Sequence, residues 1–535
     1  MSTRFVLREL SRYQLGTFAD IIFRNAILYP DCEAFVCGPE RVTFAGFNER
    51  VNRLVHGLHS LGMEKGDIIG ILSWNSLEYP EVFGAAMKGG FVLAHFNPRL
   101  KPGELVHVVN DAGPRVLFLG SELRETGSNI RDQLPTAESF VTFGDPDGWM
   151  VGYRGLLESQ PGEEPDPVVG EEDPLVIFYT SGTTGIPRGA IYSHRQKMEN
   201  ATIKALDIGA RLGDRHLVVL PMFHIGGDSH IWPFFLVGGC NVIVPRHALD
   251  PAQSLKVIAE ERITDLHIVP TQLIAILNLP DIEAYDLRCL RRIWYAASPM
   301  PTEVLRRGLS LLGPIFIQGY GQTESGPDVS ILTMADHICP EDGPGGEKVL
   351  ASCGRPCIRA HVRIVDEEGR DVEAGTIGEI IVESNRIMSG YWKKPDETEE
   401  AIRDGWLYTG DLGYYDERGF IYIADRKKDM IITGGENVYP REVEEVLYRH
   451  PAIHEVAVIG VPDSYWVERV HALVVPRGDA HAAEEDIIAF CRRHIAHYKA
   501  PRTVEFVESL PKNPQGKILK KDLRARYWGR PSPDA

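Results

Sequence analysis

The sequence predicts an α/β core with a β-rich subdomain, followed by a small α+β domain. Three observations carry this prediction. From about residue 15 to 330, short apolar runs alternate with helical patterns, the rhythm of crossover units on a largely parallel sheet. From about 350 the rhythm gives way to "AHVRIVDEEGRDVEAGTIGEIIVES", two strand patterns around a polar glycine turn, hence an antiparallel piece. Near Asp425 a third region begins, about a hundred residues that mix strands and helices.

In the first region the strand candidates include Ile68–Leu72, Val116–Leu119, Leu217–Leu220, Val242–Val244, Leu266–Val269 and Ile293–Tyr295. A helix is expected over Ala252–Arg262, with Asp250 and Pro251 in cap and first-turn positions. In the last region Pro440 opens a helix whose Val443, Val446 and Leu447 share one face. Strands follow at His454–Ile459 and Val470–Val475, then a helix through Ile487–Ile495 and a strand near Val504–Val507. The charged stretch "ADRKKDM" has little to bury and reads as a linker.

At 535 residues the chain exceeds one compact core, so more than one domain is expected. Its net charge of −18 excludes a general nucleic-acid partner, since phosphate binding needs a basic surface. One stretch departs from this: Cys491 to Arg530 carries eleven Lys/Arg against three Asp/Glu. The eight cysteines form no C-x-x-C and no zinc spacing, which fits reduced thiols in a cytoplasmic protein. The N-terminus is interrupted by charges and does not read as a signal peptide. The longest uncharged apolar run, Ile231–Val244, is too short for a membrane span and is broken by Pro233, Gly238 and Gly239.

The most informative stretch is "YTSGTTGIPRG", Tyr179 to Gly189, directly after the apolar run Leu175–Phe178. Glycines let backbone N–H groups approach an anion, and Ser/Thr hydroxyls add donors. The stretch lacks the Lys-Ser/Thr that closes an ordinary nucleoside-triphosphatase loop. It resembles the phosphate-binding motif of the adenylate-forming enzymes: acyl- and aryl-CoA ligases, peptide-synthetase adenylation domains and beetle luciferases. Further stretches resemble the family's other motifs in order: "LPMFHIGG", "QGYGQTE", "YTGD", "ADRKKDMIITGGENVYPREVE" and "LPKNPQGKILKKDLR".

The resemblance implies a large ATP- and acid-binding domain over 1–426 and a small mobile domain over 427–530, with a hinge near Lys428. It also implies roles. Thr180, Ser181, Gly182, Thr183, Thr184 and Gly185 would wrap the outer phosphates of ATP, with Arg188 where relatives more often have lysine. Thr323 would contact the α-phosphate, and Glu324 would hold Mg²⁺, which commonly needs only one or two carboxylates beside substrate phosphates. Adenine would lie against Tyr320, within Gly319, Gly321 and Gln322, and against Ala297, Ser298 and Pro299. Asp411 and Arg426 would hold ribose. Lys517 would bridge the carboxylate and α-phosphate, stabilising the charge that develops there.

For the second step, Gly434 and Gly435 would let pantetheine pass, while Trp466 and Tyr498 either lie along the CoA adenine or merely pack. The usual Gly-Glu after the tryptophan is Val467-Glu468. The acid pocket implied by the resemblance takes in Phe223, His224, Ile225, Trp232, Ile268, Tyr295 and Ser325, mainly apolar, for a fatty, alicyclic or aromatic acid. His224 would gate the acyl site or cap a backbone group; Asp228 either meets a polar group on the acid or faces solvent, the latter being favoured. The expected activity is ATP-dependent acid–CoA ligation, with acid, ATP, Mg²⁺ and CoA as its small molecules, no transmembrane segment, and a homodimer as the assembly considered. The alternatives are an adenylating enzyme with another acceptor, a luciferase-like activity, and a nucleotide-binding regulator. The last would be expected to lose Lys517, Glu324 or Asp411, and all three are present.

Overall fold

The computed structural model describes residues 10–180, 187–245, 250–298, 300–338, 346–433, 436–463, 465–478, 482–513 and 516–528. Two large sheets dominate. One has nine strands, and its centre runs Phe316–Gln322, Arg292–Tyr295, Asp265–Ile268, Arg215–Val218, Cys240–Ile243 and Glu33–Cys37, all parallel. The other has eight strands, with Ile68–Leu72, Val92–Phe96, Val116–Leu119, Ser139–Thr142 and Pro174–Thr180 parallel. Parallel strands are covered on both faces, which is why their sequences read as continuous apolar runs; Val116–Leu119 and Val92–Phe96 are buried throughout.

The helices between them begin where local chemistry says they should. Asp250 accepts hydrogen bonds from the N–H groups of Ala252 and Gln253, and Pro251 fills the first position of helix Pro251–Glu260. Ser193 and Gln196 form a reciprocal cap at helix His194–Ile208. The run Ile231–Val244 divides into helix Ile231–Leu236 and strand Cys240–Ile243. Gly238, at φ 81°, makes the turn between them, whereas Pro233 sits inside the helix's first turn without breaking it.

The β-rich piece is antiparallel as expected: His361–Val365 pairs with Gly378–Glu383, which pairs with Trp406–Tyr415, itself joined by Ile421–Arg426. The stretch read as a linker therefore begins as a strand, and only residues 427–429 form a turn. In the last sheet, Ile453–Asp463 and Val467–Pro476 form a hairpin longer than the apolar runs suggested, because pairing continues into "PDSYWVER". Thr503–Phe506 adds a parallel strand, and helices Pro440–Leu447 and Glu484–His494 close a separate core with Ile431, Val443, Leu447, Val458 and Ile487. The chain is thus a large α/β domain with a β-rich subdomain and a smaller α+β C-terminal domain. Among the described residues, no helix is long and apolar enough to cross a membrane.

Candidate active site

The two strands that flank the glycine loop pair antiparallel. Strand Pro174–Thr180 enters it and Arg188–Ser193 leaves it, with Thr180 opposite Arg188. Ser181, Gly182, Thr183, Thr184 and Gly185 lie outside the described residues. Gly189 must lack a side chain, since a Cβ would lie 2.6 Å from Ile177 Cγ2.

The loop's flanks converge on Glu324. Its Oε1 accepts the Tyr391 hydroxyl at 3.0 Å and lies 3.5 Å from Thr180 Oγ1. Arg188 stacks 4.2 Å over the Tyr391 ring and donates to Glu397 Oε2 at 3.2 Å. Its guanidinium is thus engaged beside the loop, with a buried Nε left unpartnered. Among the described residues, both side-chain contacts of Glu324 fall on Oε1, which leaves Oε2 for a cation. Among the described residues no three His, Cys, Asp or Glu group as a metal cage. A magnesium ion here would rest on Glu324 and substrate phosphates, which suits that ion.

Strand Phe316–Gln322 carries the adjoining residues. Tyr320 donates to Asp411 Oδ2 at 2.8 Å, and Gln322 Nε2 donates to the same oxygen at 2.6 Å. Arg426 Nε lies 3.2 Å from Asp411 Oδ1. Tyr320 is buried, and burial beside the Asp411 carboxylate pushes its phenol well above the ordinary range. Both Asp411 oxygens are engaged, so ribose hydroxyls would share the carboxylate with this network. Gly321 runs against the backbone of Pro327, which leaves no room for a side chain. The Thr323 carbonyl accepts the hydroxyl of buried Tyr192, which in turn accepts from Gly326 N at 3.1 Å. Ser325 is buried as a turn-former, accepting from Gln322 N at 2.8 Å. Tyr192 and Tyr391 were not found by sequence reasoning, because each meets the motif from a distant segment.

At the end of strand Arg292–Tyr295 the chain turns through Ala297, whose φ of 73° is left-handed for a non-glycine residue. Ser298 is half-buried and Pro299 lies outside the described residues. His224 caps the short helix Ile225–Asp228, its Nδ1 accepting from Gly226 N at 3.3 Å. Burial lowers it to about 4, so it is neutral near pH 7.

Trp232 is packed among Phe18, Phe83 and Phe235, and Tyr295 is buried with its hydroxyl on Gln318 and His337. One reading is corrected. Asp228 does not face solvent: at 2% exposure it forms a buried ion pair with Lys197 and accepts the Trp232 indole N–H at 2.7 Å. Phe223, Ile225 and Ile268 are buried as expected of apolar positions.

Lys517 reaches this region from the C-terminal domain. Its N–H donates to Asn513 Oδ1 at 2.8 Å, closing a tight loop that turns at Gly516, φ 76°. A Cβ on Gly516 would strike the Thr271 side chain, so the loop docks on the start of helix Pro270–Leu277. Lys517 is half-buried beside Arg426, Asp411, Asp429 and Lys428. Burial, aided by Arg426, lowers its ammonium to about 8 against the pull of the two carboxylates.

The turn at 427–429 is held from the C-terminal helix. Arg524 donates to the Lys428 carbonyl at 2.9 Å and pairs with Asp429, while the Lys428 side chain is exposed. Gly434 and Gly435 lie outside the described residues. Arg502 stacks 4.1 Å from the Trp466 ring, and Tyr498 is exposed. Val467 has φ 69°, a conformation costly for a β-branched residue, which explains why glycine is usual there.

Comparison with known proteins agrees with this geometry. Residues 22–392 match the AMP-binding enzyme family and 442–517 match the AMP-binding enzyme C-terminal domain. The fatty acid–[acyl-carrier-protein] ligase ScoC of Streptomyces coeruleorubidus is 35% identical over 528 residues, covering 97% of this chain and 98% of its own. A feruloyl-CoA synthase from an Amycolatopsis species is 35% identical over 506 residues, covering 94% and 98%. The crystal structure of the anthranilate CoA ligase AuaEII with anthranoyl-AMP superposes with a TM-score of 0.88 at 29% identity, covering 97% of this chain and 98% of that one. This chain belongs to the AMP-binding enzymes.

Proposed function

We propose that the chain is an AMP-forming acid–CoA ligase whose site residues act as follows. A carboxylate oxygen attacks the α-phosphorus of ATP, the α–β bridging oxygen leaves with pyrophosphate, and an acyl adenylate forms. The thiol sulfur of CoA, losing its proton, then attacks the acyl carbon and AMP leaves. The observation that carries this reading is the placement of Lys517, by a loop docked on Thr271, beside Asp411 and Arg426. A cation there offsets the repulsion between two approaching anions and the charge that builds on the phosphate. The loop after Thr180 supplies backbone and hydroxyl donors to the outer phosphates, and Asp411 with Arg426 orients the ribose. Glu324 would hold Mg²⁺, which would supply charge neutralisation to the phosphates.

Residues 1–426 and 427–530 act as two bodies in this reading. The turn at 427–429 is the hinge, and the present arrangement serves adenylation. Rotation withdraws Lys517 and brings the segment after Ile431–Thr433 toward the acyl adenylate. One relative carries its acyl group to a carrier protein, so the acceptor is the point to test. ATP–pyrophosphate exchange with a panel of acids reads the first step, and thioester formation with CoA reads the second. Exchange without CoA thioester would assign a different acceptor; no exchange with any acid would defeat the ligase reading. Lys517→Ala is expected to slow exchange by about 100-fold or more, the scale of losing a transition-state charge contact. It should leave conversion of supplied acyl-AMP and CoA within a few-fold. Equal loss in both steps would contradict the two-body scheme.

A further inference from the structure

Behind strand Phe316–Gln322, one residue before Tyr320, the fold encloses a group of polar side chains that no step above uses. His267 and Trp294 stand side by side on parallel strands Asp265–Ile268 and Arg292–Tyr295, near their carboxyl ends. That is the end at which such sheets hold ligands. His230 follows the His224 helix, with its ring centroid 3.6 Å from that of His267 and 5.2 Å from that of Trp294. Asp328, on the strand antiparallel to Phe316–Gln322, accepts from Lys204 Nζ at 2.6 Å through Oδ2. The Lys204 ammonium in turn lies 4.7 Å over the Trp294 ring.

All five residues are at least nine-tenths buried, yet much of their hydrogen-bonding capacity is unspent. Among the described residues, no hydrogen bond of good geometry reaches Trp294 Nε1, Asp328 Oδ1, His230 Nε2 or either ring nitrogen of His267. The backbone of Gly226 lies close enough to both imidazoles to favour their protonated forms. Proteins rarely leave so many buried polar atoms unpaired in one place, because each has given up water for nothing. The two best-defined orphans are complementary. Trp294 Nε1 can only donate, and Asp328 Oδ1 is an acceptor whose companion oxygen already receives Lys204 Nζ. Both crowd Gly319: a Cβ there would clash with Asp328 Oδ1 and lie 2.9 Å from Trp294 Nε1. The group therefore sits between the segment that follows His224 and the strand that leads to Asp411 and Glu324.

We infer that this group is the distal floor of the acid pocket and selects a carboxylic acid carrying a hydroxyl group remote from its carboxylate. Such a hydroxyl donates to Asp328 Oδ1 and accepts from the Trp294 N–H, with His230 and His267 completing its surroundings. An unsubstituted fatty or aryl acid leaves those groups unpaired. A site built to bind a hydroxyl discriminates strongly against the analogue lacking it. The inference rests on the ligase reading and refines its substrate.

The test is pyrophosphate exchange by the full chain with matched acid pairs: benzoate and 4-hydroxybenzoate, cinnamate and 4-hydroxycinnamate, octanoate and 8-hydroxyoctanoate. In at least one pair the hydroxylated acid should exceed its partner in kcat/KM by about tenfold or more. Trp294→Phe, which keeps the packing and removes the donor, should cut that ratio several-fold. A ratio of one or less in every pair, with exchange present, overturns this inference and leaves the ligase reading intact. So does a Trp294→Phe variant that loses activity equally toward both members of the preferred pair. Absence of exchange with every acid defeats the ligase reading itself.

Discussion

Lys197 and Asp228 illustrate what a single pair of residues contributes. They lie 31 positions apart, each is at most 3% exposed, and the Asp228 carboxylate also receives the Trp232 indole. Removing one member leaves the other charged and enclosed, which costs more than the pair itself is worth. Lys197→Met is therefore expected to lower unfolding free energy by about 3–5 kcal/mol, read by urea denaturation. A change below 1 kcal/mol would mean the pair is solvated. The sequence could not announce this pair: a lone aspartate after "FHIGG" has the same local appearance whether it meets water or a lysine from another helix. Arg188 carries the same lesson. Its position in the loop suggested phosphate contact, whereas Tyr391 and Glu397, two hundred residues on, already engage its guanidinium.

Secondary-structure elements were legible to the extent that local patterning fixed them. The Pro440 helix, the Asp250 cap and the Gly378–Glu383 hairpin partner follow from propensity and turn chemistry. Strand lengths did not, because pairing with a neighbour carries Ile453–Asp463 and Val467–Pro476 past their apolar segments. The element with most consequence is the proposed hinge. Its turn is short, and the C-terminal helix Lys520–Arg524 holds it: Arg524 grips the Lys428 carbonyl and Asp429, and Lys520 pairs with Glu444 at 2.8 Å. If this latch favours the present arrangement, Arg524→Ala should slow pyrophosphate exchange several-fold while thioester formation from supplied acyl adenylate holds or rises. Slowing of both steps alike would assign Arg524 to folding alone.

Across the whole molecule, burial has fixed many histidines in the neutral form. His194, His216, His224 and His337 are each lowered to about 4 from an ordinary 6.5 by desolvation, and His95, His230 and His267 are driven well below 6.5. Between the folded and ordinary values the unfolded chain binds more protons than the native one, so stability falls as pH falls. The contribution is complete above about pH 6.5 and is lost progressively toward pH 4. The denaturation midpoint is expected to drop steeply over that interval; a flat profile from pH 7 to 4 would mean these imidazoles reach water. The sequence alone determined the fold class, the order of the motifs and the identity of the charged groups, because apolar periodicity, turn residues and short motifs are local properties of the chain. Only the tertiary structure decided which groups meet: Arg188 with Tyr391, Tyr320 with Asp411, and Trp294 with Lys204 and His230. Such encounters depend on strand order and domain docking. Their energies come from burial beside partners remote in sequence, where loss of water turns an ordinary polar residue into a specific one.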